Sequence, residues 1–241
     1  MKTYNKNDPA SIQALFNSIA AQYDKTNAVL SWQMHKRWNH ELVQQVIVPS
    51  KPDTLLDLCC GTGAIAFEYL QQREAPIQAY MLDFSEGMLA YAREQSVKRD
   101  LLRHHITYLQ ADAQAIPLMA ESVDCATIAY GIRNIKQPSL CFEEVFRVLK
   151  PGGSFGVLEL TEPQNALLRI GHRLYLRTVL PIMGKLLTSN QAAYQYLCNS
   201  IHNFIPPQEL EKLLQIAGFT SIVRKPLLGG IATLLMAKKA K

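Results

Sequence analysis

The sequence contains no long apolar segment. Its 241 residues include no run of about 18 consecutive apolar residues, the length that a helix needs to cross a bilayer, so we expect no transmembrane helix. Residues 1–10 also have neither the apolar core of a secretory signal nor the arginines of a transit peptide. The sequence therefore favours a cytoplasmic location.

Cysteine is scarce and follows no pattern. The five cysteines form no CxxC pair, which excludes a disulfide framework and favours a reducing compartment. The neighbours Cys59 and Cys60 are interpreted as small buried residues of an apolar strand. The six histidines show no metal-ligand spacing, so we expect no bound metal.

Charge is also sparse, and it is unevenly distributed. Charged residues make up 19% of the chain, and 25 Lys+Arg against 20 Asp+Glu give a net charge of +5, too small to indicate a nucleic-acid partner. Residues 1–162 carry 15 basic and 18 acidic residues, whereas residues 163–208 carry four basic residues and no acid. The positive charge is therefore concentrated in the C-terminal third.

Apolar runs and helical patterns alternate from residue 54 onward. The 48% hydrophobic content is ordinary for a globular protein and excludes a disordered chain. Strands separated by helices favour a doubly wound, mostly parallel sheet. We predict strands over 54–60, 77–83, 106–110, 123–130 and 154–160, with helices over 64–73, 85–95 (capped by Ser85) and 138–149.

The C-terminal part of the chain breaks this alternation. A helix over 207–217 precedes two β-like runs, 221–228 and 231–238, which flank Gly229-Gly230 and so predict a hairpin with one antiparallel strand. We therefore expect an α/β fold with a seven-stranded sheet. It would form one domain over 1–241, with an N-terminal helical cap over 1–50 and a lid insertion over 163–205.

A glycine loop follows the first predicted strand. Gly61, Thr62 and Gly63 stand where a ligand can approach the backbone closely. Together with Ala66 the loop also fits G-x-G-x-x-A, so an NAD-dependent oxidoreductase is one alternative. A tight turn that binds no ligand is another.

Acidic residues end the next two predicted strands. Asp83 is placed to accept hydrogen bonds from both hydroxyls of a ribose. Asp112 is placed to accept from an adenine amino group, while the backbone N–H of Ala113 meets a ring nitrogen. Because these strand ends share one edge of the sheet, we expect a nucleoside crevice there.

Asp57 distinguishes between two candidate cofactors, NAD and S-adenosylmethionine. An acid four residues before the first glycine is typical of S-adenosylmethionine sites, where it helps to organise the amino-acid end of the cofactor. In dehydrogenases this stretch is usually apolar. The sequence therefore favours S-adenosylmethionine over NAD.

Motifs along the chain resemble the class I S-adenosylmethionine-dependent methyltransferases. More narrowly, they are similar to the quinone-biosynthesis C-methyltransferases that act on demethylmenaquinone and on ubiquinone precursors. The resemblance runs from about Phe16 to the C-terminus, and its most specific part is Tyr23-Asp24-x-x-Asn27-x-x-Leu30-Ser31-x-x-x-His35-x-x-Trp38. It also rests on Arg147–Thr161, Gly131-Ile132-Arg133-Asn134, Tyr194-x-Tyr196-Leu197-x-x-Ser200-Ile201 and Gly218-Phe219.

The chain departs from the family pattern at a few positions. Thr26 stands where the family usually has Met, and Thr161 stands where it favours Ser. Ala64 and Ala129 replace small polar or acidic residues near the methionine end of the cofactor. We expect these changes to weaken contacts at that end without removing a backbone group that the cofactor needs.

The resemblance implies which residues act in the reaction. Arg133, oriented by Asn134, would stabilise the ionised hydroxyl of a quinol, directly or through a water; a purely structural ion pair is the alternative for Arg133. The base that removes the hydroxyl proton is not identified, and Glu159 would either bind substrate or cap the lid. The implied cofactor contacts are Asp57, Gly61, Thr62, Gly63, Asp83, Asp112, Ala113 and Ala129, and the implied substrate contacts are Tyr23, His35, Tyr130, Tyr194 and Tyr196.

The acid-free insertion suggests where the substrate is met. Arg169, Arg173 and Arg177 repeat every four residues beside an apolar helix face. Such a helix over 163–187 can lie on an anionic membrane, where a polyprenyl quinol resides; packing as an ordinary lid is the alternative. Another phenolic or lipid acceptor and a nucleic-acid-binding module are rival functions, although Ala129-Tyr130-Gly131-Ile132 lacks base-methylation residues. A homodimer stays open.

Overall fold

The protein folds around a seven-stranded sheet. The computed structural model describes residues 8–20, 23–179 and 191–241, with the side chains of residues 9, 25, 26 and 191–194 outside that description. The strand order is β3-β2-β1-β4-β5-β7-β6. The strands are β1 (Thr54–Leu58), β2 (Gln78–Asp83), β3 (His105–Gln110), β4 (Val123–Ala129), β5 (Leu149–Leu160), β6 (Thr220–Leu227) and β7 (Ala232–Lys238).

The direction of the strands confirms the predicted fold class. The pairs from β3 to β5 are parallel, and β7 runs antiparallel to both β5 and β6. The predicted hairpin at Gly229-Gly230 is therefore the element that reverses the last strand. Both glycines have positive φ, 68° and 95°, so the turn uses the left-handed conformations that glycine adopts readily.

Helices pack on both faces of the sheet. The helices are α1 (Pro9–Ile19), α2 (Tyr23–Leu30), α3 (Met34–Leu42, continued to Ser50 through a π-turn), α4 (Ala64–Gln72), α5 (Glu86–Lys98), α6 (Pro138–Val148), α7 (Ala166–Leu174, continued by a π-turn to Val179), α8 (Gln191–His202) and α9 (Pro207–Ile216).

The core lies on both faces of the sheet. Successive residues of β1 point to opposite faces, so Leu55 packs with α3 and α4 while Leu56 and Leu58 pack with α6 and α9. All three leucines are fully buried. Buried strands of this kind read as continuous apolar runs, which is why they are recognisable in the sequence.

Two predicted boundaries are wrong. β5 begins at Leu149 rather than Ser154, because Leu149 pairs with Val123 before the chain bulges and Ser154 pairs with Cys125. β1 ends at Leu58, so Cys59 is not a buried strand residue: it is half-buried, with a positive φ of 49°. Cys59 instead belongs to the loop that follows the strand.

The cap and the lid contact each other. Leu30 of α2 packs with Leu176 and Ile201 of the lid in a small separate cluster. The Tyr175 hydroxyl also donates a hydrogen bond of 2.6 Å to the Leu30 carbonyl oxygen. Within the described residues, no helix has the length and apolarity to cross a membrane.

Candidate functional site

A crevice opens at the carboxyl ends of β1, β2, β3 and β4. This is the edge at which doubly wound sheets bind ligands. Helix α1 closes one side of it with Ile12, Gln13 and Phe16. The strand-end residues that line it include Cys59, Gly61, Asp83, Phe84, Asp112, Ala113, Ala129 and Tyr130.

The glycine loop is held by a strand-end carboxylate. The Gly61 N–H donates to Asp83 Oδ2 over 2.8 Å. Gly61 has φ of 52°, and a Cβ built there would meet no atom within 4 Å, so the space above its backbone is open to a ligand. Gly63 has φ of 88°, and a Cβ there would come within 2.3 Å of the Phe67 ring.

Asp83 ends β2 and lines the crevice. Its Oδ1 accepts from the Ser85 N–H over 2.8 Å, and its role toward a ribose stays a prediction. Burial raises the pKa of Asp83, and hydrogen bonds from the backbone of Ser85 and Gly61 oppose the rise. As predicted, Ser85 itself caps α5, because its Oγ accepts from the Met88 N–H.

Asp112 lies on the opposite side of the crevice with Ala113. Its carboxylate accepts from the Gln114 N–H and from Gln114 Nε2 at 2.9–3.0 Å. The contact with Gln114 fixes the orientation of the carboxylate. Its role toward an adenine stays a prediction.

Asp57 lies beneath the glycine loop rather than in the crevice lining. It is 1% exposed, and its Oδ1 accepts a hydrogen bond of 2.8 Å from Thr127 Oγ1. Burial raises the pKa of Asp57 to about 7, against the hydrogen bonds from Thr127 and the Ala66 backbone. Any contribution of Asp57 to cofactor binding would therefore act through the loop.

The N-terminal cap forms hydrogen bonds to the glycine loop and to the start of α5. Thr62, buried in the glycine loop, donates from Oγ1 to Asp24 Oδ1 over 2.7 Å. On α1, Asn17 Oδ1 accepts from Ser85 Oγ at 2.6 Å and from the Gly87 N–H at 3.0 Å. These contacts were not predicted, because they join residues about 40 to 70 positions apart that carry no local pattern.

A second cavity adjoins the crevice and lies between the cap and the lid. Its volume is about 550 Å³. Most of its lining is apolar and comes from α2, α3, α7, α8 and the turn before β7. The apolar and aromatic lining residues are Leu30, Trp32, Met34, Trp38, Leu160, Leu167, Leu168, Tyr175, Leu176, Leu197, Ile201, Leu228 and Ile231.

The crevice and the cavity meet at two tyrosines. Tyr23 and Tyr130 line both spaces. The Tyr130 hydroxyl donates to the buried Asn39 Oδ1 over 3.0 Å, which fixes the ring at the boundary. Burial raises the pKa of Tyr23, and the nearby Arg133 guanidinium opposes the rise. Both hydroxyls are therefore neutral donors at pH 7.

Arg133 lines the cavity and forms a buried ion pair. Its Nη1 lies 2.6 Å from Glu159 Oε1, and the side chains are 5% and 1% exposed. The backbone N–H of Arg133 also donates to Glu159 Oε2. Burial lowers the pKa of Arg133, but Glu159, Tyr23 and Tyr196 together raise it by more, so the guanidinium stays charged. Glu159 thus orients Arg133, which the sequence did not indicate.

Asn134 follows Arg133 and lies on the crevice side of this boundary. The Tyr196 hydroxyl of α8 donates to Asn134 Oδ1 over 2.7 Å, so Tyr196 holds the lid against this pair without lining either space. The side chain of Tyr194 lies outside the described residues.

Two histidines line the cavity. His35 Nδ1 shares a hydrogen bond of 2.7 Å with Ser31 Oγ, and burial lowers its pKa. His172 of α7 is 8% exposed, and burial lowers its pKa as well. His35 was predicted; His172 was missed, because a lone histidine on a helix carries no signal of its surroundings.

The three lid arginines are not equivalent. Arg173 forms an ion pair of 2.8 Å with Glu162, and His202 contacts the same carboxylate at 3.0 Å. The Arg173 contact lowers the pKa of Glu162 to about 2. Arg169 and Arg177 form no ion pair within the described part of the chain.

The sequence matches a known protein family over almost its whole length. The model of the ubiE/COQ5 methyltransferase family covers residues 2–239. The chain belongs to this family. A demethylmenaquinone methyltransferase of Protochlamydia amoebophila is 56% identical over 99% of both chains. A ubiquinone/menaquinone biosynthesis C-methyltransferase UbiE of Teredinibacter turnerae is 36% identical over 99% of this chain and 96% of its own.

Solved structures support the same fold. The [4+2]-cyclase SpnF has a TM-score of 0.64 at 18% identity, covering 87% of this chain and 82% of its own. A SAM-dependent methyltransferase of Thermotoga maritima has a TM-score of 0.60 at 18% identity, covering 94% and 99%. The chain is therefore a methyltransferase with the class I fold, as predicted. Among the described residues, no cluster of metal-ligand side chains occurs.

Proposed function

We propose that this methyltransferase transfers a methyl group from S-adenosylmethionine to a ring carbon of a polyprenyl quinol. One observation carries the proposal: an apolar cavity of about 550 Å³ joins the strand-end crevice at Tyr23 and Tyr130, with a buried arginine beside the junction. A large apolar acceptor with a small polar head suits this arrangement.

The crevice residues fit the cofactor. The space above the Gly61 backbone is open to the part of the cofactor that faces the glycine loop. The Asp83 carboxylate would hold the ribose, and the Asp112–Ala113 turn would hold the adenine. When bound, S-adenosylmethionine supplies an already activated methyl group on sulfur. The protein must then align the acceptor carbon and exclude water, which α1 and the cap–lid contact support.

Arg133 is the residue that we assign to the acceptor. A ring carbon becomes a better nucleophile when a neighbouring quinol hydroxyl is ionised, and a fixed positive charge stabilises that phenolate. A guanidinium is too basic to remove the proton itself. Arg133 would therefore act by charge, with Glu159 and Asn134 as positioning residues. Tyr23 and Tyr130 would contact the ring at the same boundary, and His35 would contact it from within the cavity.

Demethylmenaquinol is the acceptor that we favour. The relative at 56% identity and one at 36% identity from Chlamydia caviae are both named demethylmenaquinone methyltransferase. A benzoquinol precursor of ubiquinone is the second candidate, because the Teredinibacter turnerae relative carries both pathways in its name. We further propose that the protein works in the cytoplasm at the inner membrane surface, using the lid over 163–187.

A labelling experiment tests the proposed reaction. The protein is incubated with methyl-labelled S-adenosylmethionine and one acceptor at a time. The three acceptors are reduced demethylmenaquinone, a demethylated ubiquinone precursor and a tail-free phenol. Label in the naphthoquinol, and less in the other two acceptors, is the expected result. Label in neither quinol would overturn the proposal, and label in the simple phenol alone would assign a different acceptor.

A further inference from the structure

The solvent-facing side of helix α7, which we call its outer face, is apolar. Leu167, Ile170 and Leu174 lie three and four residues apart and so share one helical face, and they are 78%, 65% and 61% exposed. The one buried residue of this helix is His172. An amphipathic helix on a water-facing surface normally shows the opposite arrangement.

The exposed apolar surface continues around the mouth of the cavity. We call Trp32, Leu167, Leu168 and Leu228 the rim, because each lines the cavity and each is nevertheless at least 50% exposed. They come from three separate elements: the turn between α2 and α3, the lid, and the turn between β6 and β7. Contiguous apolar exposure of this kind marks an interaction surface.

The three elements of the rim touch one another. A Cβ at Gly229 would lie 2.7 Å from Leu168 Cδ1, so the lid rests on the β6–β7 turn. The Tyr175 hydroxyl of the lid donates to the carbonyl oxygen of Leu30, two residues before Trp32. Trp32 and Leu228 have positive φ, 50° and 44°, although such backbone is unfavourable for large side chains. The fold thus holds both side chains at the mouth despite a local cost.

The charge around the rim fits an anionic surface. Residues 163–208 contain no acidic residue, and the exposed Arg177 has no ion-pair partner in the described part of the chain. Lys36 and Arg37, just after Trp32, are exposed. Exposed apolar side chains combined with unpaired cations are the requirements for binding at the headgroup layer of an anionic bilayer.

We propose that the rim and the outer face of α7 insert into the headgroup layer of an anionic membrane, so that the cavity opens directly into lipid. A polyprenyl acceptor would then pass from bilayer to cavity without exposing its tail to water. This inference rests on the proposed function for the identity of the acceptor. It adds Trp32 and Leu228, outside the lid, to the membrane contact.

Trp32 itself can report the insertion. The chain has two tryptophans, of which Trp38 is 5% and Trp32 75% exposed. The Trp38→Phe variant therefore carries one exposed reporter. With vesicles of phosphatidylglycerol and brominated phosphatidylethanolamine, without quinol or cofactor, we expect Trp32 emission to shift to the blue and lose most of its intensity. Unchanged emission from protein that sediments with the vesicles would overturn the proposal.

Substitutions on the outer face test the surface independently. Leu167→Gln with Ile170→Gln should weaken vesicle binding by about tenfold or more. Arg177→Gln should weaken binding to anionic vesicles by about fivefold and leave the slight binding to neutral phosphatidylcholine vesicles unchanged. The matched control is Met119→Gln with Ile216→Gln, which removes side chains that are 81% and 75% exposed elsewhere; it should bind as wild type.

Other occupants of the rim give different results. Equal weakening by the rim and control variants would show that the binding is not specific to this face. The wild type could instead be a dimer in the absence of vesicles. If Leu167→Gln with Ile170→Gln converts that dimer to a monomer, this face is a self-association surface and the membrane proposal is wrong. Because no vesicle contains quinol, failed insertion is distinguishable from failed methyl transfer.

Discussion

The cofactor crevice and the acceptor cavity share a boundary but are built differently. The crevice is made from strand ends and tight turns, and backbone groups such as the Gly61 N–H fix its shape. The cavity lies outside the sheet, between α2, α3 and the lid, and side chains from distant segments form its walls. The crevice has the larger polar share of the two and ends in fixed strand-end turns, whereas the cavity is almost wholly apolar and draws its walls from residues 23 to 231.

This difference separates two requirements of methyl transfer. A polar cofactor needs fixed hydrogen-bond partners, which strand ends provide without further packing. A large apolar acceptor needs volume and a route of entry, which helical insertions provide. The two tyrosines and Arg133 lie where both requirements must be met at once. Variants on either side of this boundary should therefore affect one ligand and spare the other.

The largest effect is expected at the boundary itself. Arg133→Ala removes the charge that stabilises the phenolate, so kcat should fall by about 10² to 10³ with the dissociation constant for S-adenosylmethionine unchanged. It also leaves Glu159 buried and unpaired, which destabilises the fold by about 3–5 kcal/mol. Single-turnover methyl transfer measures the rate, and calorimetric titration measures the cofactor affinity. Denaturant unfolding measures the loss of stability.

A double variant separates catalysis from folding. Arg133→Ala combined with Glu159→Gln removes both charges and should regain much of the lost stability without regaining activity. Wild-type turnover in the folded double variant would mean that Arg133 is a structural ion-pair residue only.

A pH effect is expected beneath the crevice. The pKa of Asp57 is about 7 in the folded protein against an ordinary value of 3.8, so the folded state holds its proton more tightly than the unfolded state. Its contribution to stability is therefore fully present at acid pH, decreases as pH rises from about 4 through 7, and levels off at about pH 8. Asp57→Asn should become more stable than wild type by on the order of 3 kcal/mol at pH 8.

Denaturant unfolding at several pH values measures this difference. At pH 3.5 the two proteins should have nearly equal free energies of unfolding. A difference that does not vary between pH 4 and pH 7 would be inconsistent with a raised pKa at Asp57.

The two loop glycines should respond differently to the same change. Gly63→Ala forces a Cβ into the Phe67 ring and should cost about 2 kcal/mol of stability. Gly61→Ala meets open space in the protein, so its stability loss should stay within about 1 kcal/mol, while cofactor affinity drops more than in Gly63→Ala. Thermal unfolding and cofactor titration of both proteins test this; equal effects on affinity would argue against a ligand above Gly61.

The smallest effect is expected where the cap joins the loop. Thr62→Val removes the hydrogen bond to Asp24 and should cost about 1 kcal/mol, with a several-fold loss of cofactor affinity. Thr178→Val is the matched control, because Thr178 bonds only to the exposed Leu174 carbonyl of its own helix among the described contacts. If both variants bind cofactor as wild type does, the cap does not support the crevice.

The sequence predicted the sheet and the crevice more fully than the cavity. Buried strands such as β1 are recognisable as short apolar runs. Asp83 ends β2, and Gly61 and Asp112 come within three residues of the ends of β1 and β3. Asp57 was predicted as a cofactor contact, but the structure places it beneath the glycine loop and outside the lining of the crevice. Cys59 was assigned to the strand because the apolar run continues past the point where the backbone turns.

The cavity contacts depend on which distant segments pack together. The family resemblance placed Tyr23, His35 and Tyr130 in a substrate site, and all three line the cavity. Nothing local in the sequence links Glu159 to Arg133, or Asn17 to Ser85, since each pair is joined only by the fold. For the apolar face of α7 the sequence left two alternatives open, a membrane-facing surface and an ordinary lid face packed on the core, and the structure shows this face exposed.

The dependence of turnover on tail length tests the division between crevice and cavity most directly. Demethylated naphthoquinols with increasing numbers of prenyl units are compared at saturating S-adenosylmethionine, with cofactor affinity measured in parallel. We predict that kcat/KM rises by about tenfold for each of the first added units, levels off once the cavity is filled, and leaves cofactor affinity unchanged. Equal kcat/KM for the tail-free and prenylated quinols would contradict the assignment of the cavity.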